Sequence, residues 1–536
     1  MLTRQLLHRQ WTAFRRPARL IALVAAALAV IAIGLLFALG NQVSCDGPCP
    51  RDPVAADGST VGDRFWFLHR DLGPRGVITV RMTSMTGTIT YPPPDHDRIV
   101  PGLVPWAKAG IIIKDGVRQG SSYAALMMTG AHGVRMQYDY RHDVAGSAGG
   151  PGGLSARSPR WLRLARSGDT VTGSESADGR RWSTVGTVTV AGLPETAQVG
   201  LFATSPGDLT LREVGLGGAV EEVRFTQATG VFDHVTVEGA AGGGWRGEAV
   251  GEMNRTDWEK YHNASGAVEK DGVITVSGTG DIGPSGSEGG VSAERTLSGL
   301  LIMLIVVVAL FARFGARPDA RRASRTPETP DGARPDIRDV PAPDAPASDV
   351  PAPDAPGAGV SRRVVAARAV VVGGATFVAG LVAAGVVLPA ALAILRDNGV
   401  PVQPVTALTG VRVVVGVAAV LALCAVLSYG LGVLLRRGWV AIALALALVA
   451  VPYAVTAAPF LPDAASRWLL RLTPAAGFAV QQTAVEYPQV VAHYAPSAGY
   501  FPLPGWAGLA VLCAYTLMVV WPAVNRAPRA RTASRR

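Results

Sequence analysis

The stretch Val364–Ile394, VVAARAVVVGGATFVAGLVAAGVVLPAALAI, constrains this chain more than any other. Its one charge is Arg368, near its start. A helix needs about 20 apolar residues to cross a bilayer, and this run exceeds that length. Gly373, Gly374, Gly380 and Gly385 are expected to let neighbouring helices come close, as in membrane bundles. Pro389 sits near the far end, where neighbours can re-satisfy the backbone.

Five more apolar runs make an α-helical membrane bundle of six expected spans: 20–40, 297–312, 364–395, 411–435, 439–458 and 505–524. The first is read as an uncleaved anchor, because a signal-peptide core is usually only about 7–15 residues. The 297–312 run is short, and Arg313 can snorkel to the interface. Hydrophobic residues make up 49% of the 536 and charged ones 17%. Mean hydropathy is +0.27, the profile of a membrane protein with a sizeable soluble part. The formal net charge is +10, yet the arginines cluster beside apolar runs and at both termini. That distribution fits membrane topology and not nucleic-acid binding. It places both termini in the cytoplasm and residues 41–296 outside, in a multi-pass plasma-membrane protein.

Residues 1–19 carry Leu7, Trp11 and Phe14 at helical spacing among arginines, an amphipathic helix for the cytoplasmic interface. Residues 313–363 are dominated by Pro, Ala and Asp and repeat DVPAPDAP at Asp339–Pro346 and Asp349–Pro356. Such a composition buries no core and reads as a disordered cytoplasmic linker. Residues 460–504 are mildly apolar and aromatic, an extracellular or re-entrant segment. Residues 525–536 form a basic cytoplasmic tail.

Between the first two runs lies an all-β region: a lead-in at 41–62, a jelly-roll sandwich at 63–237 and a membrane-proximal segment at 238–296. In Gly133–Tyr140, Val134, Met136, Tyr138 and Tyr140 alternate with Arg135, Gln137 and Asp139, the period of a half-buried strand. Trp161–Ala165, Val171–Ser176, Ser183–Val190, Ala197–Thr204 and Phe232–Val237 read as further strands. Ser167-Gly168-Asp169 and Asp178-Gly179 supply turns between them. GVITV occurs at Gly76–Val80 and Gly272–Val276, either a vestigial repeat or two strands in similar surroundings.

The chemistry-bearing residues exclude more than they assign. None of the four lysines, Lys108, Lys114, Lys260 and Lys270, follows a Gly, so the chain has no G-x-x-x-x-G-K-[ST] phosphate loop. A glycosidase needs two carboxylates flanking the sugar bond, and no strand presents such a pair. Glu221 and Glu222 are adjacent, so in a strand they face opposite ways. His132, His142, His234 and His262 show no metal-ligand spacing, and no metal or cofactor is expected in this chain. Trp106, Tyr123, Trp161 and Trp182 are candidates for stacking on sugar rings, against the alternative that they are core or sheet residues. Cys45 and Cys49, in CDGPCP, form a disulfide or remain two free thiols. Cys424 and Cys513 lie in apolar runs as packing residues. Arg412 stands near a span end, in reach of the interface.

Two resemblances add to this. Trp106-Ala-Lys-Ala-Gly110-Ile-Ile-Ile-Lys-Asp115, Tyr123-Ala-Ala, Pro159-Arg-Trp-Leu-Arg-Leu164 and Ser176-Ala-Asp-Gly-Arg-Arg-Trp182 resemble concanavalin-A-like (laminin-G-like) jelly rolls of carbohydrate-binding proteins. The membrane part resembles permease subunits of actinobacterial ABC-2-type ABC transporters, some of which carry such a domain between their first two spans. The resemblance rests on Leu297-Ser-Gly-Leu-Leu, Ala366-Ala-Arg-Ala-Val-Val-Val-Gly373, Val411-Arg-Val-Val-Val-Gly416 and Trp468-Leu-Leu-Arg-Leu-Thr-Pro-Ala-Ala-Gly-Phe478. It implies an export permease that is not itself an enzyme and works as a homodimer or with a second permease subunit. A separate ATPase would hold ATP and Mg, and an extracellular glycan would be the ligand of the jelly roll. Where related permeases follow their second span with an acidic-aromatic-Arg-Arg-Gly segment, this chain has the Pro-Ala-Asp linker instead. Coupling to the ATPase is therefore expected to be either weak or carried elsewhere, by the N-terminal helix, with Arg15 and Arg16, and the turn at Arg436 and Arg437. The other reading is a non-transporting, membrane-anchored glycan-binding or envelope-sensing protein.

Overall fold

The computed structural model describes residues 4–43, 53–91, 95, 97–214, 218–253, 264–285, 290–317, 362–458 and 461–526. Cys45, Cys49 and nearly all of the 313–363 linker lie outside the described residues.

Two helices, α1 (Arg4–Phe14) and α2 (Pro17–Gly40), precede the β region. After it come α3 (Leu300–Ala316), α4 (Arg362–Asp397), α5 (Ala407–Leu435), α6 (Gly438–Ala457), α7 (Asp463–Leu472) and α8 (Gly505–Asn525). Helices α2, α4, α5, α6 and α8 are long and apolar enough to cross a membrane, whereas α3 has only 17 residues. Helix α5 is the hub of the bundle and packs on α3, α4 and α8. Among the four glycines of α4, Gly380 makes the close approach, since a Cβ there would lie 2.9 Å from the Ala418 Cα of α5. Gly374 faces open space. The tightest crossing joins α3 and α5, where a Cβ on Gly315 or Gly432 would strike the facing backbone. Helix α1 is held by Phe14, fully buried and stacked on Phe311 of α3 at 6.0 Å. Arg436 ends α5 in the left-handed region, φ 53°, with its N–H donating to the Gly432 carbonyl at 3.0 Å. The stretch Pro474–Gln481 is buried throughout and lies against α5 and α8.

The β region begins with β1 (Val61–Asp63) and the 26-residue β2 (Phe65–Thr90). It continues through β3 (Ile99–Pro101), β4 (Lys108–Lys114), β5 (Tyr123–Thr129), β6 (Val134–Tyr138) and β7 (His142–Ala145). Then come β8 (Arg160–Ser167), β9 (Thr170–Ser176), β10 (Ser183–Thr189), β11 (Ala197–Thr204), β12 (Asp208–Val214) and the 23-residue β13 (Gly218–Ala240). The last are β14 (Arg246–Val250), β15 (Gly266–Lys270), β16 (Val273–Gly278) and β17 (Ile282–Pro284).

Every strand pairing is antiparallel, and β2 organises them by changing partners along its length. Residues Phe65–Leu72 of β2 pair with β11 and β14, while Arg75–Met82 pair with β8 and β13. The change falls at Gly73–Gly76, where a Cβ on Gly76 would lie 2.6 Å from the Glu238 carbonyl, so the corner needs glycine. One layer runs through β8, β9 and β10 and the other through β11, β4, β5, β6 and β7, so the strands form a sandwich. Between the layers lie Ile78, Val80, Leu126, Met136, Leu162, Leu164 and Leu201, all fully buried. Gly173 and Gly186 leave room for the Met136 sulfur from the facing layer, which a Cβ on either would approach to 2.8 or 3.2 Å.

The β structure extends past the boundary expected at Val237. β14 pairs with β2, β16 with β13 and β17 with β1, so these strands belong to the same β structure and do not form a segment separate from it. Both GVITV copies are strands that border β13, and both bury their Ile and second Val: Ile78 and Val80, Ile274 and Val276. The strand expected through Tyr140 ends at Tyr138, and Gln137, expected on the polar face, is buried. Asp139 and Tyr140 turn into the left-handed region, which carries the Tyr140 ring back into the interior.

Candidate functional site

The four aromatic candidates do not share a site. Tyr123 is fully buried, among Phe65, Phe67, Ile112 and Tyr140. It lies beside a buried ion pair in which Lys114 Nζ donates to Asp63 Oδ2 at 2.7 Å, with neither side chain exposed. The same ammonium donates to the Ser121 carbonyl at 3.0 Å and the Tyr140 hydroxyl at 2.9 Å. Asp63 Oδ2 also accepts the Gly120 N–H at 2.7 Å. Burial holds the Lys114 ammonium below its ordinary range, against the pull of Asp63, and raises both tyrosine hydroxyls. Tyr123 is thus a core residue and no stacking platform. Trp106 is 6% exposed and stacked on His132 at 4.0 Å, with the Arg135 guanidinium 5.7 Å away. Burial and then Arg135 lower the His132 pKa. Trp106 therefore has no ring face left for a sugar.

Trp161 lies on the solvent-facing side of β8, and Trp182 meets Arg163 on that same side. Trp161 and Arg163 alternate there with the buried Leu162 and Leu164. The Arg163 guanidinium lies 3.8 Å from the centre of the Trp182 ring, and its Nε donates to Thr79 Oγ1 at 3.1 Å. Arg81, opposite Trp161 on β2, makes a bidentate pair with Asp233 at 2.6 Å for each contact. His234 meets the Trp161 ring edge-on at 5.6 Å, and Gly179 lies against the same indole. The patch thus offers two partly covered indoles and the Arg163 guanidinium, with the Arg81 guanidinium held by Asp233.

The four arginines expected at a partner surface lie at one end of the bundle. Arg15 and Arg16 follow α1, and Arg436 and Arg437 join α5 to α6; all four are exposed. Phe314 ties this end together, touching Phe14, Tyr429 and the guanidinium groups of Arg19 and Arg368. The described residues 4–20, 311–317, 362–370, 433–440 and 520–526, which make up this end, contain no Asp or Glu.

The other end meets the β sandwich, and its functional groups carried no signal of spacing. His493 bridges the two parts, with Nε2 2.5 Å from Asp463 Oδ2 of α7 and Nδ1 3.3 Å from Glu221 Oε1 of β13. Gln489 Nε2 donates to the Arg141 carbonyl at 2.9 Å. Val291 bridges to Val402 in the connection between α4 and α5. A cavity of about 330 Å³ opens beside this bridge, lined in part by Ser292, Arg295, Gln403 and Tyr500. Sequence reasoning missed these residues because they lie in connections far apart in the chain. Among the described residues, no three His, Cys, Asp or Glu side chains form a group able to hold a metal ion.

No family model matches the chain, and no curated protein does. Solved structures give weak likenesses. A functionally unknown protein from Saccharomyces cerevisiae is 15% identical over 36% of this chain and 84% of its own, with a TM-score of 0.20. The GH43 protein BlXynB from Bacillus licheniformis is 14% identical over 31% of this chain and 28% of its own, TM-score 0.18. Scytalido-glutamic peptidase is 8% identical over 40% of this chain and 98% of its own, TM-score 0.26. At these scores none carries an argument about fold or function.

Proposed function

We propose that this chain is the membrane-spanning permease subunit of an ABC-2-type exporter, with an extracellular glycan-binding β domain. The observation that carries the reading is the charge division of the apolar bundle. One end presents only arginine, the other mixes Glu294, Arg295, Asp397, Asp463 and Arg467 beside the β sandwich. Positively charged ends stay in the cytoplasm, so the β sandwich faces outward. In this reading α3 is the sixth span, its shortness offset by Arg313 and Arg317 reaching the interface. Exposed Trp439 and Trp521 lie toward the arginine end and Trp468 and Trp506 toward the other, as aromatic belts do. The exposed Arg15, Arg16, Arg436 and Arg437 form the surface for a separate ATPase, which supplies ATP and Mg. A glycan would meet the β domain at Trp161, Arg163 and Trp182.

The test is purification of the tagged full chain from its native membrane. An ATPase subunit is expected to come with it, and reversing Arg436 and Arg437 to Glu is expected to cut its recovery about tenfold, the scale of lost charge-assisted contacts. Recovery without any ATPase, together with polysaccharide binding, would favour the second reading, a membrane-anchored glycan sensor. The size of the β sandwich and its side-chain tie to the bundle through His493 are the observations behind that reading.

A further inference from the structure

Residues 208–224 run past the edge of the sandwich as a two-stranded ribbon. Among the described residues β12 pairs only with β13, and β13 joins β2 only from Phe225 onward. The register sorts the ribbon's side chains, because residues opposite each other across a pair share a face. Asp208 stands opposite Arg224 and Thr210 opposite Glu222, and Arg212 lies on that same face. This face is polar. Arg224 pairs with Asp208 and donates to the Tyr91 hydroxyl at 2.9 Å, and Arg212 Nε lies 3.7 Å from Glu222 Oε2. Leu209 stands opposite Val223 and Leu211 opposite Glu221. Over 208–212 and 221–224, the other face therefore carries three aliphatic side chains and one carboxylate.

Glu221 shows where that face points. Its Oε1 lies 3.3 Å from His493 Nδ1, and His493 Nε2 lies 2.5 Å from Asp463 Oδ2 at the start of α7. Helix α7 follows α6 at the β-sandwich end of the bundle. It leaves Trp468 and Leu472 exposed beside the exposed Arg467 and Arg471, the pattern of a helix lying in a membrane interface. Leu211 is about 5 Å from Glu221 across the pair, and Val223 about 7 Å along the strand. Both therefore stand close to α7, on the side of the ribbon that looks toward the bundle. Yet Leu211 is 46% and Val223 48% exposed. The ribbon turns its ion pairs away from the bundle and leaves its apolar face open toward it.

We propose that the β12–β13 ribbon rests on the bilayer surface beside the bundle, with Leu211 and Val223 reaching into the headgroup layer. Glu221 does not oppose this, because its carboxylate is turned to His493. A second copy of the chain is the poorer occupant. Two half-exposed aliphatic side chains offer far less than the about 800 Å² a side that a stable protein interface buries, whereas a shallow lipid contact gains with each apolar group. The inference rests on the membrane reading of the bundle but not on transport, a glycan or an ATPase.

The experiment uses the full chain, its four cysteines replaced by alanine, in phosphatidylcholine nanodiscs. One nitroxide at a time is attached at Leu211→Cys, Val223→Cys, Arg212→Cys or Leu517→Cys. Arg212 lies on the polar face, and Leu517, exposed on α8, marks contact with lipid. Oxygen, which concentrates in lipid, and a water-soluble nickel chelate report what each label meets. Labels at 211 and 223 are expected to behave as at 517, relaxed by oxygen and sheltered from nickel, while the label at 212 is relaxed by nickel. Nickel reaching 211 and 223 as freely as 212 would overturn the proposal. So would shelter of 211 and 223 from both reagents, because protein, as in a second copy, would then cover the face. Nickel reaching Leu517 would overturn the membrane reading and the inference with it. Failure of the exporter reading alone would show separately, as absence of an ATPase from the purified chain.

Discussion

Asp178 closes the turn between β9 and β10 with one carboxylate oxygen, which accepts the N–H groups of Arg181 and Arg180 at 2.8 Å each. These bonds, with that from Ser176, lower its pKa from 3.8 to about 2. A carboxyl group depressed on folding stabilises fully above its unfolded pKa and loses that contribution as pH falls through its folded one. The turn is therefore expected to hold at pH values above 3.8 and to loosen between pH 3.8 and about 2. The Arg180 and Arg181 amide shifts should report this, and Asp178→Ala should abolish the titration. No change in those shifts down to about pH 2 would refute the assignment. The Asp63–Lys114 pair makes a different prediction. Lys114→Met leaves a buried carboxylate unpaired, at a cost of about 3–5 kcal/mol. Replacing both, with Asp63→Leu, should cost well under the sum of the single changes in urea unfolding; additive costs would mean that the two groups do not act as a pair.

Strands that alternate were legible in the sequence, and strands buried on both faces were not. The β8–β9 hairpin announced itself through Leu162 and Leu164 between polar neighbours and the Ser167-Gly168-Asp169 turn. β4, KAGIIIK, and β5, YAALMMT, are buried at every position, so they show no period of two. Tyr123 reads as a stacking candidate for the same reason: nothing in its local pattern reveals that β5 is buried on both faces. The length of β2 was also hidden, because Gly73-Pro74 reads as a break and proves to be the corner where the strand changes partners. The pairing of β14, β16 and β17 sets a prediction at this scale. A fragment of residues 53–285 should fold alone as a soluble β protein, whereas one of residues 63–237 should not, having lost partners of β1, β2 and β13. Equal circular-dichroism melting of the two fragments would contradict this.

For the whole molecule, the charge division sets the side that each part is expected to occupy. Single cysteines introduced at Asp178 and Asp463 should react with an impermeant thiol reagent in whole cells, and one at Ser348 should not. Labelling of Ser348→Cys from outside would overturn the arrangement. The junction between sandwich and bundle also has a consequence for biosynthesis. Val291 leaves the β region early, but its partner Val402 is made roughly a hundred residues later, a delay of about 5–20 s at about 5–20 residues per second. Gln489 and His493, which also tie the two parts, emerge later still. The sandwich must therefore form while its seat on the bundle does not yet exist, and docking comes last. A newly made chain would pass through a stage with a finished β domain on an unfinished bundle, recognisable by a protease-accessible Val291 segment that closes only when synthesis ends.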